Sequence, residues 1–150
     1  MKNLNESGRS MVEMLGVLAI VGVLSVGGIA GYTRAMNNWK ANEVIDAANR
    51  VLVMAETDIS VDDGTVAYSD FGGDYTKLAG NIVEKIEAKK KTGKTSVKIT
   101  WNTGASGTAK VQQAIQEKLG CDDGGSGSNA SCKLGPNGGQ YDLTFAGAKS

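Results

Sequence analysis

The chain has 150 residues, in which 16 basic and 16 acidic side chains cancel to a formal net charge of zero. This balance gives no general argument for a nucleic-acid partner or an acidic substrate. The sequence contains no histidine, which excludes histidine-dependent catalytic triads and histidine metal sites. We therefore expect one domain with an appended helix, no enzymatic activity, and no metal or cofactor.

The N-terminal part of the chain contains an uncharged apolar run from Met14 to Thr33. At ~1.5 Å per residue, a helix of this length spans about 30 Å, the hydrocarbon thickness of a bilayer. A cleaved secretory signal would have a more basic leader and a shorter apolar stretch. A buried soluble helix would need a larger surrounding core. Of the three interpretations, a single membrane-inserted helix is favoured.

Helical periodicity continues beyond the apolar run. Apolar residues recur there at spacings of three and four, as in an amphipathic helix. They are Ala41, Val44, Ile45, Ala48, Val51, Leu52, Ala55 and Ile59. Polar residues such as Glu43, Asn49 and Glu56 fall on other faces. The pattern predicts one helix from about residue 10 to about residue 58, apolar all round in its first half and amphipathic in its second.

The rest of the chain predicts a small α+β head. Residues 60–80 are typical of a loop, with turn signals at residues 63–64 and 72–73. Residues 81–90 predict a short helix with Ile82, Val83 and Ile86 on its apolar side. Residues 95–101 and 141–145 alternate apolar and polar side chains, as strands with one buried face do.

A further amphipathic helix is predicted between these two strands, over Thr108–Leu119. Its inward positions are Val111, Ala114, Ile115 and Leu119. Gly120 directly after it is a typical C-terminal stop signal for a helix. The head should therefore combine few strands with short helices, packed on the second half of the long helix.

Cys121 and Cys132 enclose ten residues rich in Gly, Ser, Asn and Asp. Two cysteines at this spacing form neither a four-cysteine zinc site nor a CxxC redox pair. If this part of the chain is exported, a disulfide is favoured over two free thiols, and closing this loop would stabilise the fold by roughly 2–3 kcal/mol. Asp122 and Asp123 lack the ligand series that Ca²⁺ requires, so we expect no metal there.

Lys89, Lys90, Lys91 and Lys94 form a basic cluster near Trp101. Such a cluster can bind nucleic acid or another anionic surface. It is also typical of a solvated helix end, because cations suit a helix C-terminus. The helix predicted over residues 81–90 favours this second interpretation.

The stretch from Gly8 to Glu13, GRSMVE, followed by the apolar run, resembles the type IV pilin family, including the related secretion pseudopilins. Members share a leader ending in Gly, a hydrophobic first mature residue, a Glu shortly after it, and about twenty apolar residues. Gly22 within the run and Tyr32 just past it also match. The resemblance covers residues 1–35, and Arg9 stands where the family usually has Phe or Met.

The resemblance implies a leader over residues 1–8, cut by a prepilin peptidase between Gly8 and Arg9, with N-methylation of Arg9. Residues 9–33 would form a transmembrane and assembly helix, and residues 34–59 its amphipathic continuation. Residues 60–150 would form the head, with a disulfide loop at 121–132. The implied fold is a long membrane-inserted helix continuing into a small α/β head with a few antiparallel strands.

Glu13 has an assembly role in this interpretation. A carboxylate in an apolar filament core needs a cation, and the free amino group of Arg9 in a neighbouring subunit is one. The Arg9 guanidinium offers a second cation, either within the same chain at i,i+4 or between chains. The alternative is that Glu13 lies in the lipid headgroup region and extends toward water.

The implied function is that of a structural subunit of a type IV pilus-like filament, with roles in adhesion, motility or DNA uptake. Its partners would be further copies of the chain, the prepilin peptidase, the pilus assembly machinery and the inner membrane, with nucleic acid a less favoured partner. The subunit would wait in the inner membrane and then enter an extracellular filament. The alternatives are a secretion pseudopilin, a minor pilin, or a single-pass membrane-anchored exported binding domain.

Overall fold

The computed structural model describes residues 4–57, 64–122 and 129–148. It contains a long helix, α1 (Leu4–Thr57), a short helix, α2 (Thr108–Leu119), and one five-stranded sheet. The predicted α+β class and the predicted long helix are therefore confirmed, although the helix begins at Leu4 and not near residue 10. The residues up to Met36 form one compact unit, and those from Asn37 onward form a second, which is called the head below.

The part of α1 that belongs to the head buries one face of the helix in the core. The buried residues are Ala41, Val44, Ala47, Ala48, Val51, Leu52 and Ala55. Six of these seven were expected from the periodicity, and Ile45 is half-buried beside them. Ile59, the last member of the predicted face, lies outside the described residues. The amphipathic pattern is thus confirmed over the described part of the helix.

The sheet contains five strands, which in chain order are β1 (Thr65–Ala67), β2 (Val83–Lys91), β3 (Lys94–Trp101), β4 (Asn129–Leu134) and β5 (Gly139–Ala146). Their order across the sheet is β1-β2-β3-β5-β4. All neighbours are antiparallel except β3 and β5, which are parallel. Parallel strands need a long crossover, and here α2 and β4 lie in the connection.

The helix predicted over residues 81–90 is wrong, because this segment forms β2. The pairing of β2 with β3 shifts register between Val83 and Lys85, which marks a β-bulge. Residues three apart normally lie on opposite faces of a strand, but one extra residue returns them to the same face. Val83 and Ile86 are consequently both buried, with a three-residue spacing that otherwise indicates a helix.

The solvated helix end predicted for the lysine cluster is wrong for the same reason. β2 and β3 form a hairpin whose turn contains Thr92 and Gly93, with φ of 52° and 77°. Two positive φ values are typical of the type I′ turn, whose twist matches that of a hairpin. The lysines therefore lie on paired strands at the hairpin end. Trp101 is fully buried, so it is not available to a ligand beside them.

The other predicted elements of the head are confirmed. Residues 95–101 lie in β3, residues 141–145 lie in β5, and α2 has the predicted bounds. Val111 and Ile115 are buried, and Ala114 and Leu119 are half-buried against the core. Gly120 ends α2 with φ of 55°, the left-handed conformation that commonly follows a helix.

Two strands and two short 3₁₀ segments lie where the sequence indicates only loops. β1 has three residues, and the 3₁₀ segments are Tyr68–Phe71 and Leu78–Gly80. The turn predicted at residues 72–73 is confirmed, with Gly72 at φ of 75°, whereas Asp63 lies outside the described residues. β4 begins inside the cysteine loop, contains Cys132, and buries Ala130, Cys132 and Leu134.

Candidate functional site

The first half of α1 has an apolar surface that nothing in the described chain covers. Its large apolar side chains between Met11 and Tyr32 are all exposed, from 52% for Val21 to 75% for Val23. The helix is long and apolar enough to cross a membrane. A surface this apolar is unfavourable in water. By length and composition, α1 is therefore a candidate single membrane span near the N-terminus.

Gly8, Arg9 and Glu13 lie at the start of this apolar surface, within α1. Gly8 is exposed, and the Arg9 and Glu13 side chains are 86% and 72% exposed. Arg9 Nε lies 3.7 Å from Glu13 Oε1 in an i,i+4 arrangement. The structure therefore brings the predicted cleavage and assembly residues together on one helix. Of the predicted leader, residues 1–3 lie outside the described part of the chain.

Glycines recur along the same apolar surface, at positions 16, 22, 27, 28 and 31. A Cβ atom added at any of these five positions would contact nothing within 4 Å. The absence of a side chain therefore serves no packing purpose within the single described chain. Each glycine nevertheless lowers the stability of an exposed helix by about 1 kcal/mol relative to Ala.

Polar side chains of α1 make contacts in the head that the sequence reasoning missed. The Glu43 carboxylate accepts a hydrogen bond from the Ala79 N–H at 2.7 Å. Asn49 Oδ1 accepts one from the Gly135 N–H at 2.9 Å. The periodicity assigns both residues only to polar faces of the helix. A helical pattern shows which side chains lie outside the core, but it does not show which of them form hydrogen bonds with a distant loop.

A third contact of this kind joins the end of α1 to β5. The Tyr141 hydroxyl donates a hydrogen bond to Glu56 Oε1 at 2.6 Å. This bond, with a smaller effect from burial, raises the pKa of the Tyr141 phenol above its ordinary value. The three contacts attach one helix to three separate parts of the head.

Cys121 and Cys132 form a disulfide, so the predicted bond is confirmed. Cys132 lies in the buried face of β4, and Cys121 is half-buried after α2. The Asp122 N–H donates to the Ser131 carbonyl at 2.9 Å, which holds the chain against β4 directly beside the disulfide. Asp123, the second carboxylate considered for Ca²⁺, lies outside the described residues. Among those that are described, no group of three or more His, Cys, Asp or Glu side chains could hold a metal.

The face of the sheet opposite the core is a second candidate surface, called the open sheet face below. Because side chains alternate along a strand, the residues between the buried positions of β2 to β5 point away from the core. Six lysines lie on this face: Lys85, Lys89, Lys91, Lys94, Lys98 and Lys133. Eight further polar residues lie among them: Glu87, Ser96, Thr100, Asn129, Ser131, Gln140, Asp142 and Thr144. Two of these eight, Glu87 and Asp142, are carboxylates.

Most lysines of the open sheet face have no carboxylate partner. Lys85 Nζ forms an ion pair with Glu87 Oε1 at 2.6 Å, and this hydrogen bond raises the pKa of the Lys85 ammonium. The other five lysines of the face make no ion pair with any residue in the described ranges. The face is therefore basic on a chain whose overall charge is zero.

Comparisons of the chain with protein-family models, with curated proteins and with solved structures find no match.

Proposed function

We propose that this protein is a structural subunit of a type IV pilus-like filament, anchored in the inner membrane before assembly. The observation that carries the proposal is the uncovered apolar surface of α1 from Met11 to Tyr32, which contains a single carboxylate, Glu13, near its start. A membrane covers such a surface in the single subunit, and the same helices of neighbouring subunits cover it in a filament. The head, closed by its own core and disulfide, would form the filament surface.

The glycines of α1 support packing between helices. Small residues let helix backbones approach closely in an apolar environment, where van der Waals contact replaces the hydrophobic effect as the driving force. Because the five glycines have no packing role in the single chain, neighbouring helices supply a physical reason for them. Contact with lipid tails alone would not explain the glycines, since alanine would fit there equally well and would stabilise the helix.

Glu13 would fix the register between neighbouring subunits. Cleavage after Gly8 would create a positively charged amino group at Arg9. In the apolar filament core, the Glu13 carboxylate of one subunit would pair with the Arg9 amino group of a neighbouring subunit. Breaking a buried ion pair costs about 3–5 kcal/mol, because the remaining charge is left without a partner. The Arg9 guanidinium, already within 3.7 Å of Glu13, would neutralise the same carboxylate within its own subunit.

The proposal is tested by expressing the chain in a host that has a prepilin peptidase and pilus assembly machinery. Wild type should give a mature chain that starts at Arg9, and filaments in sheared surface material by electron microscopy. Glu13→Ala should abolish filaments but leave the processed chain in the membrane. Gly8→Ser should leave a longer, unprocessed chain. Normal filaments in Glu13→Ala would contradict the pairing, and unchanged processing in Gly8→Ser would contradict the cleavage site.

Two further variants test whether the effect is specific to Glu13 and which cation of Arg9 pairs with it. Asp46→Ala is a matched control, since it removes an exposed carboxylate of α1 that pairs with Arg50 one turn away; it should assemble normally. Arg9→Ala keeps the new amino group but removes the guanidinium. Filaments in Arg9→Ala would assign the pairing to the amino group, and their loss would assign it to the guanidinium.

A minor pilin, a pseudopilin and an anchored binding domain are the competing proposals, and abundance distinguishes them. A major subunit should be the principal protein of the sheared fibres. A minor pilin or pseudopilin should be processed at the same site but remain scarce in the fibres. A merely anchored binding domain should stay in the membrane fraction whether or not Glu13 is present.

A further inference from the structure

The centre of the open sheet face contains a polar hollow with a carboxylate. Asp142 of β5 is paired in register with Ser96 of β3 on one side and with Ser131 of β4 on the other. Together with Asn129 and Thr144, these side chains line an open hollow with a volume of about 410 Å³.

Lysines border this hollow on the neighbouring positions of its strands. Lys94 and Lys98 flank Ser96 on β3, two residues away in each direction, and Lys133 follows Ser131 by two residues on β4. Side chains two residues apart in a strand share a face and lie about 6.6–6.8 Å from one another. Three cationic groups are thus within reach of a ligand that fills the hollow.

A fourth cation faces one of these three across the hairpin. Lys91 is paired directly with Lys94, and like charges at directly opposite positions destabilise a pair of strands. An anionic group bound between these two lysines would relieve the repulsion. The hairpin end of the open sheet face therefore favours a ligand that carries negative charges.

Asp142 imposes a different requirement on the same ligand. A carboxylate accepts hydrogen bonds and repels anions, so the group above it must be a donor without negative charge. The serine hydroxyls beside it can both donate and accept. The surface therefore suits a ligand in which hydroxyl groups and anionic groups alternate over a few ångströms.

From this combination we infer that the open sheet face binds an acidic polysaccharide, a chain of sugars that carries carboxylate, phosphate or sulfate groups. The sugar hydroxyls bond to Asp142, Ser96 and Ser131, while the anionic groups pair with Lys91, Lys94 and Lys133. The binding is noncovalent, and it does not rest on filament assembly, because every residue involved belongs to the head of a single chain.

Duplex DNA is the competing polyanion, and the same residues disfavour it. DNA phosphates need cations along their whole path, and DNA has no sugar hydroxyl within the strand to donate to Asp142. None of the residues that form the open sheet face is aromatic, so stacking of unpaired bases is also unsupported. Lysine, unlike arginine, provides a point charge rather than the planar fork used to read guanine.

The test measures binding of a fluorescent oligogalacturonate to the full chain in neutral detergent at low salt, by fluorescence anisotropy. Lys91→Gln/Lys94→Gln should weaken binding roughly tenfold, as expected for the loss of two exposed ion pairs. The matched control, Lys110→Gln/Lys118→Gln, removes the same charge from exposed positions on α2 and should change binding less than about twofold. Absence of binding to wild type, or an equal loss in the control, would overturn the inference.

Asp142→Ala decides between the two polyanions, because the expected changes have opposite signs. If sugar hydroxyls bond to this carboxylate, Asp142→Ala weakens binding of oligogalacturonate. If the face is simply a cation surface, the variant binds both oligogalacturonate and a labelled random-sequence DNA duplex more tightly. Tighter binding in Asp142→Ala, or a wild-type preference for the duplex over oligogalacturonate, would assign the face to nucleic acid and reject the polysaccharide.

Folding is checked in each variant through tryptophan fluorescence during thermal unfolding, in which the buried Trp101 reports on the core. Lys91→Gln/Lys94→Gln should unfold at an equal or higher temperature, because it removes a repulsive pair. Should this double variant fail to fold, Lys133→Gln replaces it, with Lys110→Gln as its control. Unchanged oligogalacturonate binding in Lys133→Gln would then contradict the proposed site.

Discussion

The carboxylate of Glu43 on α1 accepts a hydrogen bond at 2.7 Å from the backbone N–H of Ala79, 36 residues further along the chain. Ala79 is fully buried and has a positive φ of 50°, a conformation that costs a non-glycine residue about 1 kcal/mol or more. The contact therefore holds an unfavourable loop conformation against the helix. It also satisfies a buried donor that has no partner in the sheet.

Glu43→Ala should lower the stability of the head by about 1.5–3 kcal/mol, the usual range for hydrogen bonds to charged groups. Thermal or urea unfolding of the full chain in detergent, followed by tryptophan fluorescence, measures this change. Asp46→Ala is the control, since its partner is the exposed Arg50 on the same helix, and it should cost less than about 0.5 kcal/mol. Equal losses in the two variants would show that Glu43 acts only as another surface charge.

Tyr141→Phe should reduce stability by about 0.5–1.5 kcal/mol at neutral pH, because it removes the hydrogen bond to Glu56. The bond raises the pKa of Tyr141 in the folded state. Its contribution is therefore complete below the unfolded tyrosine pKa of about 10 and is lost as pH rises through the folded value. The stability difference between wild type and Tyr141→Phe should shrink above about pH 10. A difference that stays constant across this window would contradict the linkage.

Thr92→Asn should stabilise the head by about 0.5–1 kcal/mol. Thr92 has φ of 52° in the β2–β3 turn, a region that β-branched residues adopt with strain, whereas Asn before Gly is strongly preferred in type I′ turns. The midpoint of urea unfolding should rise without a change in slope. Gly93→Ala, at φ of 77°, should lower the same midpoint. A lower midpoint in Thr92→Asn would contradict the assigned turn.

Cys121→Ser/Cys132→Ser should destabilise the head by about 2–3 kcal/mol, because the disulfide closes a loop between residues 11 positions apart. Wild type treated with a thiol reductant should lose a similar amount, while the double variant should not respond to reductant. The unfolding temperatures of both proteins with and without reductant provide the measurement. A reductant effect in the double variant would place its cause outside this bond.

The helices of this protein were predictable because their patterns are local. Every residue pair that reveals α1 or α2 lies three or four positions apart, so an apolar face or an all-round apolar surface can be read directly. The glycine, arginine and glutamate at positions 8, 9 and 13 also lie within two turns. Their proximity on one helix follows from spacing alone, although their proposed role depends on other subunits.

Strand β2 shows where local patterns mislead. Its bulge after Val83 converts the two-residue spacing of a strand into a three-residue spacing, which is a helical signal. Only the pairing with β3 distinguishes a bulged strand from a helix here. A bulge is defined by two residues on one strand lying opposite one residue on its partner, which the sequence of β2 alone does not show. The prediction that the lysine cluster lies at a helix end was wrong for the same reason, because these lysines lie on β2 and β3.

The sequence by itself determined the apolar character of α1 and its end near residue 58, the bounds of α2, and the alternation of β3 and β5. Only the tertiary structure decided that β3 pairs in parallel with β5, and so placed Ser96 beside Asp142. It likewise placed Glu43 and Asn49 against connecting segments far along the chain, and Glu56 against strand β5. The reason is physical: periodicity reports which side of an element avoids water, whereas register and side-chain partners depend on contacts between segments whose separation in sequence carries no pattern.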